Sequence, residues 1–299
     1  MRILVTGASG FVGQTTCAEL VYRGHEVSAL VRRPGSQPAS TQPVAGDLRD
    51  GERLRAAVAE AAPECVIHLA AEIASQRDAK QIREINVHGT SRLLAACANA
   101  GVRRVVFAST VVTGDAQGEL LDEQTELPVE TAYGASKQEC ERMLSASTMQ
   151  WVVVRPSHVY GAGGWFAEEI VGRLRQPLRL AVVGRGNNWW DMVRVEDVAA
   201  AFALAAEHAP SGEIYHCADG EPITYYDFVA LTAKSLGVEA PRRIPAWIAR
   251  LAAGRDPIAA VTRSGRTSNA KLKHELGWTP RWPSVYEGVP DAVAALLSA

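Results

Sequence analysis

The feature that most constrains the fold is a series of short, almost uninterrupted apolar runs separated by longer helical patterns. The runs are RILVT (2–6), EVSALV (26–31), CVIHLA (65–70), RVVFAS (104–109) and WVVVRP (151–156). Strands buried on both faces need such continuous hydrophobicity, which is typical of parallel sheets. Helical patterns fill the intervals at 11–23, 50–61, 84–100 and 133–146. The alternation predicts an α/β fold, a doubly wound parallel sheet with helices on both faces.

The second half of the chain has a different texture. After Tyr160 come loops rich in Gly and Trp, shorter helices and proline-containing turns. We expect residues 1–160 to form the sheet domain and residues 161–299 to form a smaller C-terminal substrate-binding lobe interleaved with it. The run at 193–208 predicts a helix that packs back on the first domain, within a returning segment near 193–218. A substrate cleft is then expected between the two, at the carboxyl ends of the strands.

Composition narrows the class of partner. The 299 residues carry a formal net charge of -2 with interspersed signs, which gives no reason to expect nucleic acid as a partner. No apolar run is long enough to span a membrane, and the first strand begins at once without a signal sequence, so we expect a cytoplasmic protein. The five cysteines are far apart and predict no metal site. A small-molecule partner is expected.

A glycine-rich turn follows the first strand and opens the first helix. In VTGASGFVG, Gly7, Gly10 and Gly13 stand at three-residue spacing. Glycine lets the backbone approach a pyrophosphate closely, and the free N–H groups and positive dipole of the helix N-terminus attract the phosphates. Because the motif stands between a strand and a helix, it predicts the dinucleotide site of a Rossmann domain.

The end of the second strand bears on the choice of dinucleotide. Sites selective for NAD usually carry a carboxylate there, whereas this chain has Arg32 and Arg33. Two guanidiniums suit a 2′-phosphate, so NADP(H) is favoured; NAD(H) remains the alternative, with the arginines as solvated charge. Asp47, in GDLRD, is expected near the adenine or as a turn residue before a helix N-cap at Asp50.

Several motifs occur in the order found in a known family. They are Gly7-x-x-Gly10-x-x-Gly13, GDL (46–48), HLAA (68–71), INVHGT with Asn86, ASTVVTG (108–114), Tyr133-x-x-x-Lys137 and RPSHVYG (155–161). The chain thereby resembles the extended short-chain dehydrogenases/reductases over nearly its whole length. Its C-terminal run SNAKLKHELGWTPRWPSVYEGV resembles the closing segment of the NAD-dependent epimerase/dehydratase group.

The resemblance implies reversible hydride transfer at a carbinol or ketone carbon. It assigns Tyr133 as the acid/base, Lys137 to the nicotinamide ribose and Ser109 to the reacting oxygen, with Thr110 as the alternative hydroxyl. Residues four apart on a helix share one face, so Tyr133 and Lys137 can address the same cleft. The ammonium and an oxidised nicotinamide are expected to lower the pKa of the phenol.

The resemblance also implies a wider set of contacts. Its cofactor-binding residues are Gly7, Ser9, Gly10, Phe11, Val12, Gly13, Arg32, Arg33, Asp47, Leu48, Leu69, Ala70, Ala71, Asn86, Tyr133, Lys137, Pro156 and His158. Its substrate-facing residues are Thr110, His158, Trp165, Trp190 and Arg194. Structural alternatives stand beside some of these: Asn86 bridging backbone at a helix kink, the tryptophans as lobe core, and Arg194 organising a loop.

Two departures from the pattern weaken a nucleotide-sugar substrate. His158 stands where such enzymes commonly have Asn, and Thr113 replaces Tyr at the end of the serine loop. The candidates for a basic clamp are Arg185, Arg194, Arg263 and Arg266. The favoured function is therefore an NADPH-dependent carbonyl reductase acting on a small carbonyl or alcohol, with a nucleotide-sugar 4-epimerase or 4-ketoreductase as the alternative.

Two further alternatives remain open from the sequence. A non-catalytic NADP(H)-sensing regulator would need no acid/base residues, although Ser109, Tyr133 and Lys137 are all present. A homodimer through helices 84–100 and 133–146 is common in the family, but packing on the sheet explains their apolar stripes equally.

Overall fold

The computed structural model describes residues 1–73, 76, 78–176, 180–253 and 255–298. Its main sheet has seven parallel strands in the order β12-β7-β5-β4-β1-β2-β3, which confirms the predicted doubly wound α/β fold. The strands are β1 Arg2–Thr6, β2 Glu26–Val31, β3 Gln42–Ala45, β4 Cys65–His68, β5 Arg104–Ala108, β6 Leu120–Leu121, β7 Gln150–Pro156, β8 His158–Tyr160, β9 Ala181–Val183, β10 Trp189–Trp190, β11 Met192–Arg194, β12 Glu213–Cys217, β13 Ile223–Thr224, β14 Arg242–Ile244 and β15 Arg266–Thr267.

Helices cover both faces of this sheet and build the second half of the chain. The α-helices are α1 Phe11–Tyr22, α2 Gly51–Ala61, α3 Ala79–Ile82, α4 Gly89–Asn99, α5 Ala132–Ser145, α6 Gly172–Leu174, α7 Val195–Glu207, α8 Tyr225–Ser235, α9 Ala246–Ala253, α10 Arg255–Thr262, α11 Ala270–Leu276 and α12 Val285–Ser298. Two π-helical segments, Arg83–His88 and Phe166–Val171, interrupt the regular helices. No helix in the described ranges is long and apolar enough to cross a membrane.

The two faces of the sheet form two separate hydrophobic cores. Along β1, Ile3 and Val5 point to one face and pack in a cluster with Phe202 of α7, whereas Leu4 points to the other face and packs in a cluster with Leu93 of α4. This alternation is the period of two that a strand imposes. The apolar stripes of α4 and α5 lie in the second cluster, so packing on the sheet accounts for them.

The remainder of the chain has a core of its own. Tyr160, Phe166, Trp190, Phe228 and Val289 belong to a third cluster, built from the second π-helix, α8 and α12 around short paired strands. The chain leaves the main sheet after β7 and returns to it with α7 and β12. The helix predicted at 193–208 is α7, which packs against α1 on the main sheet.

Parallel registers align the carboxyl ends of the strands at one edge. Thr6 at the end of β1 pairs with Leu30 on one side and with His68 on the other. Residues that follow these strands, such as Gly7, Arg32 and Leu69, therefore lie next to one another. This is the edge where ligands bind in open α/β sheets.

Candidate active site

The glycine-rich turn is packed so tightly that side chains cannot be added. Gly7 has φ +70°, and a Cβ there would lie 2.7 Å from the backbone N of Ala70; a Cβ on Gly13 would overlap the carbonyl oxygen of Gly7. Helix α1 begins directly after Gly10 with no side-chain cap and no acidic residue in its first turn. Uncapped N–H groups beside a close backbone approach fit a pyrophosphate.

Phe11 connects this turn to the second half of the chain. A Cβ on Gly163 or on Gly164 would lie 3.0 Å or 2.8 Å from its ring, so the ring packs directly on that glycine segment. The sequence signal for this contact is the Gly-Ala-Gly-Gly run after Tyr160. Ser9 is exposed and Val12 is partly buried beside the turn.

The residues predicted around the adenine and ribose lie along the same edge. Arg32 and Arg33 are exposed directly after β2. Asp47 follows β3 and pairs with Arg49 at 2.7 Å, and hydrogen bonds from Arg49 hold the pKa of its carboxyl below the ordinary value. Asp50 caps α2 through the backbone N–H groups of residues 52 and 53, which confirms the helix N-cap, while the contact of Asp47 with the adenine stays a prediction.

The three residues that follow β4 lie at this part of the sheet edge. The N–H of Leu69 donates to the carbonyl of Thr6 at 3.2 Å, and the N–H of Ala70 donates to the hydroxyl of Thr6, also at 3.2 Å. Ala71 follows them, and Leu48 is buried in the second core cluster. Leu69 and Ala70 are thereby held against Gly7 of the glycine turn.

Asn86 lies in the first π-helix and acts as a bridge between segments. Its amide oxygen accepts from the N–H of Glu72 at 2.8 Å, and its amide nitrogen donates to the carbonyl of Glu72 and to the hydroxyl of Ser136. Ser136 in turn donates to the carbonyl of Tyr133 at 2.7 Å. These bonds are those of the structural alternative, and they tie the π-helix to the tyrosine of α5.

The helix that bears Tyr133 is fixed against the serine loop. Thr131 caps α5 by accepting from the N–H of Gly134, and the N–H of Glu130 donates to the carbonyl of Thr113. A Cβ on Gly134 would lie 2.9 Å from Cα of Thr113, so only glycine permits this approach. The structure thereby brings Tyr133 and Lys137 beside the loop that starts at Ser109.

The two hydroxyls at the start of this loop differ in their partners. The Oγ of Ser109 is buried and has no hydrogen-bond partner, although the backbone N–H donates to the carbonyl of Val154 at 2.8 Å. The Oγ of Thr110 donates to the carbonyl of Pro156 and accepts from the N–H of Val112. Since a buried unpaired hydroxyl is costly, Ser109 is the residue poised for a ligand oxygen.

Burial sets the electrostatics of the Tyr133 and Lys137 pair. The Nζ of Lys137 lies 4.4 Å from the ring centre of Phe107 and 6.0 Å from that of Tyr133. Burial lowers the pKa of Lys137 to about 8 and raises the pKa of Tyr133 to about 12. Burial is the cause of both shifts, and the lowering of the phenol pKa expected with an oxidised nicotinamide in place stays a prediction.

The predicted substrate-facing residues fall into two groups. His158 stacks on Trp190 with ring centres 4.3 Å apart, and the indole N–H of Trp165 donates to the carbonyl of Val159. The guanidinium of Arg194 forms ion pairs within the protein instead of facing a substrate. It pairs with Glu196 and with the carboxylate of Asp291, the latter at 2.7 Å. The loop-organising alternative therefore describes Arg194, which packs α12 against β11.

A buried polar cluster beside the His158 stack was not predicted. Burial raises the pKa of Asp191 to about 7 and that of Asp219 to about 8, and it lowers the pKa of Arg263 to about 10. One carboxylate oxygen of Asp219 and two nitrogens of Arg263 are buried without partners. The local sequence shows these residues only as isolated charges, and it does not indicate that they are buried or which groups they face.

Comparisons with known proteins identify the family and the fold. The model of the NAD dependent epimerase/dehydratase family matches residues 3–218. A 3-diazoavenalumate denitrifying reductase from Streptomyces sp is 31% identical, covering 97% of this chain and 99% of the relative. A 2-alkyl-3-oxoalkanoate reductase from Stenotrophomonas maltophilia is 33% identical, covering 81% and 77%. The UDP-glucose 4-epimerase of Thermus thermophilus, solved with NAD, matches with a TM-score of 0.86 and 29% identity over 100% of both chains.

Proposed function

The chain belongs to the NAD dependent epimerase/dehydratase family and is an NAD(P)-dependent oxidoreductase of the extended short-chain dehydrogenase/reductase type, and on that premise we propose that it is an NADPH-dependent carbonyl reductase. The observation that carries the proposal is the unpartnered, buried hydroxyl of Ser109 beside the helix that bears Tyr133 and Lys137. Similarity to proteins named as reductases supports it.

The protein's own groups are suited to the proton transfer of a reduction. The reduced nicotinamide, when bound, supplies the hydride for the carbonyl carbon. Ser109 donates a hydrogen bond to the carbonyl oxygen, and Tyr133 donates its proton to the same oxygen. The raised pKa of Tyr133 keeps the phenol protonated at neutral pH, as the acid in a reduction must be. Lys137 holds the nicotinamide ribose and stabilises the phenolate that remains.

The preference for NADPH rests on the charge at the end of β2. The exposed side chains of Arg32 and Arg33 follow directly on Val31, next to the glycine turn, and a ribose 2′-phosphate at this position would meet two guanidiniums. The pyrophosphate is assigned to the N–H groups that open α1. Pro156, the last residue of β7, and His158, the first residue of β8, are assigned to the nicotinamide side.

Turnover of NADPH with a panel of ketones and aldehydes tests the reductase. We expect Tyr133→Phe to lower kcat by about 10²–10⁴ while leaving NADPH binding unchanged, because only the proton donor is lost. Tyr22→Phe is the matched control, since Tyr22 is 87% exposed on α1. NADPH binding without oxidation by any carbonyl would instead indicate the non-catalytic sensor, and full activity of Tyr133→Phe would refute the assigned acid.

Dissociation constants for NADPH and NADH test the cofactor assignment separately. Replacing Arg32 and Arg33 together by Gln should weaken NADPH binding by about 30-fold and leave NADH binding within about threefold, since charged hydrogen bonds to phosphate contribute about 1.5–3 kcal/mol. Arg55→Gln removes one exposed charge on α2 as a control. Equal losses for both cofactors would contradict the role of this pair.

A nucleotide-sugar 4-epimerase is the second candidate, favoured by the TM-score of 0.86 to a UDP-glucose 4-epimerase. An epimerase regenerates its nicotinamide in each cycle, so protein purified without added cofactor should retain NAD and interconvert 4-epimers. A protein that loses its cofactor and needs added NADPH is the reductase. The homodimer through α4 and α5 and the cytoplasmic location remain predictions, and sedimentation equilibrium measures the first.

A further inference from the structure

Arg263 is an unusual arginine for this structure. It is 8% exposed and lies directly after α10. Its Nε and Nη1 atoms are buried without hydrogen-bond partners, and no other arginine or lysine of the described residues has such atoms. A buried guanidinium with unsatisfied donors is costly unless a ligand completes it.

The neighbours of Arg263 place it near the segment that follows the serine loop and near His158 of the aromatic stack. The side chain of Asn188 donates to the carbonyl of Arg263 at 2.7 Å, and the N–H of Ser264 donates to the carboxylate of Asp115 at 2.9 Å. Asp115 in turn donates its N–H to the carboxylate of Glu130, the residue that precedes the cap of α5. Arg263 therefore lies between the segment that carries Trp190 and the segment that leads to Tyr133.

A second buried donor without a partner lies on β10. The indole N–H of Trp190 is buried without a partner, and the Trp190 ring stacks against His158 on β8. Both Arg263 and Trp190 thus present N–H groups that need acceptors, and Arg263 interacts electrostatically with His158, the ring that stacks on Trp190. A planar group with several acceptor oxygens satisfies such donors, and arginine binds a carboxylate through two N–H groups at once.

The surrounding charges limit how much negative charge the ligand carries. The carboxyl groups of Asp191, Asp115 and Glu130 all interact electrostatically with Arg263, yet none of the three accepts a hydrogen bond from its unpartnered Nε and Nη1 atoms. A diphosphate would bring two or more negative charges against these three groups and a single guanidinium. One carboxylate brings a single charge and therefore meets less repulsion from these three groups than a diphosphate would.

From these contacts we infer that the reductase binds carbonyl substrates that carry a carboxylate, and that Arg263 is the residue that binds it. The inference rests on the proposed function for the carbonyl half of the substrate. The carboxylate half depends only on Arg263 and its neighbours. A carboxylate site also explains why a basic clamp for a nucleotide is not evident. Arg194 forms its ion pairs with Glu196 and Asp291, and the buried guanidinium of Arg263 suits one small anion.

Calorimetric titration of the full-length protein with NADP+ present tests the inference, using benzoate, its neutral isostere benzamide, and inorganic pyrophosphate as probes. We expect benzoate to bind about 30-fold more tightly than benzamide, the effect of losing charged hydrogen bonds, and more tightly than pyrophosphate. Arg263→Gln should abolish the preference for benzoate. Arg263→Lys, which keeps the charge but not the planar fork, should retain part of it. Arg242→Gln, an exposed arginine on β14, is the control that retains it fully.

Any one of four results would overturn the inference. They are equal binding of benzoate and benzamide, binding of neither, tighter binding of pyrophosphate than of benzoate, and an unchanged preference for benzoate in both Arg263 variants. Failure of the proposed function has a different signature. A protein that binds benzoate through Arg263 but oxidises NADPH with no carbonyl refutes the reductase alone. A reductase that treats 4-formylbenzoate and its methyl ester alike refutes the carboxylate site alone.

Discussion

Replacing Asp219 by Asn should make the protein more stable, and increasingly so as the pH rises. Burial raises the pKa of Asp219 from the ordinary value of 3.8 to about 8 in the folded protein. Between these two values the unfolded chain is ionised while the folded protein keeps the proton. Stability that is present below pH 3.8 is therefore lost progressively as the pH rises towards 8. An amide carries no proton to lose, so the variant escapes this loss.

The size of the effect follows from the linkage slope. One proton of difference changes the free energy of unfolding by about 1.4 kcal/mol per pH unit, so the advantage of the variant should grow by about 2.7 kcal/mol between about pH 5 and pH 7. In the native protein the N–H of Glu221 donates to Oδ1 of Asp219 at 3.0 Å. This hydrogen bond is kept in the variant, because the amide oxygen of Asn also accepts. Urea titrations at intervals of one pH unit across this range give the difference directly.

The lower end of the pH range provides an internal reference. Well below the ordinary pKa of 3.8 the Asp219 side chain is neutral in the folded and the unfolded chain alike, so the difference measured there reports only the change of packing. Asp191→Asn should give a parallel slope that ends near pH 7, where its own pKa lies. A difference that stays constant throughout the range would show that Asp219 is ionised in the folded protein, and the reasoning from burial would be refuted.

Three other substitutions probe the packing that supports the site. Gly13→Ala should lower cofactor affinity at least tenfold, measured by NADPH fluorescence, because its Cβ overlaps backbone. Gly51→Ala should not, because its Cβ would make only an ordinary van der Waals contact with the side chain of Arg92 at 3.9 Å. Asp197→Ala should lower the free energy of unfolding by about 2–4 kcal/mol, since two backbone N–H groups of the C-terminal segment lose their acceptor. Arg155→Met should cost about 1–3 kcal/mol by leaving the half-buried carboxylate of Glu141 unpaired, and adding Glu141→Leu should restore part of the loss in thermal unfolding.

The parts of the fold that could be predicted are those set by local pattern. The continuous apolar runs identified the central strands, because a strand buried on both faces leaves no room for polar residues. Gly7 and Gly13 were identifiable because backbone contacts at those positions exclude any side chain. The spacing of Tyr133 and Lys137 fixed their common face of α5. Each of these signals lies within a few residues of the chain.

The parts that could not be predicted depend on distant segments. Arg194 contacts a carboxylate 97 residues away in sequence, so no local pattern separates it from a substrate arginine. The second half of the chain pairs strands as short as β10 and β15, which have two residues each and no periodicity to detect. The pKa of Tyr133 depends on how completely the fold buries it, which spacing does not report.

The position of β12 at the edge of the main sheet has a consequence for biosynthesis. Its partner β7 is complete at Pro156, but β12 begins only at Glu213, after much of the second half has been made. At ordinary rates of translation that interval lasts roughly 3–12 s. During it the nascent chain presents an unpaired, valine-rich strand edge, which is a template for aggregation. Ribosomal pausing between these two points should therefore lower the yield of native protein more than pausing after Cys217.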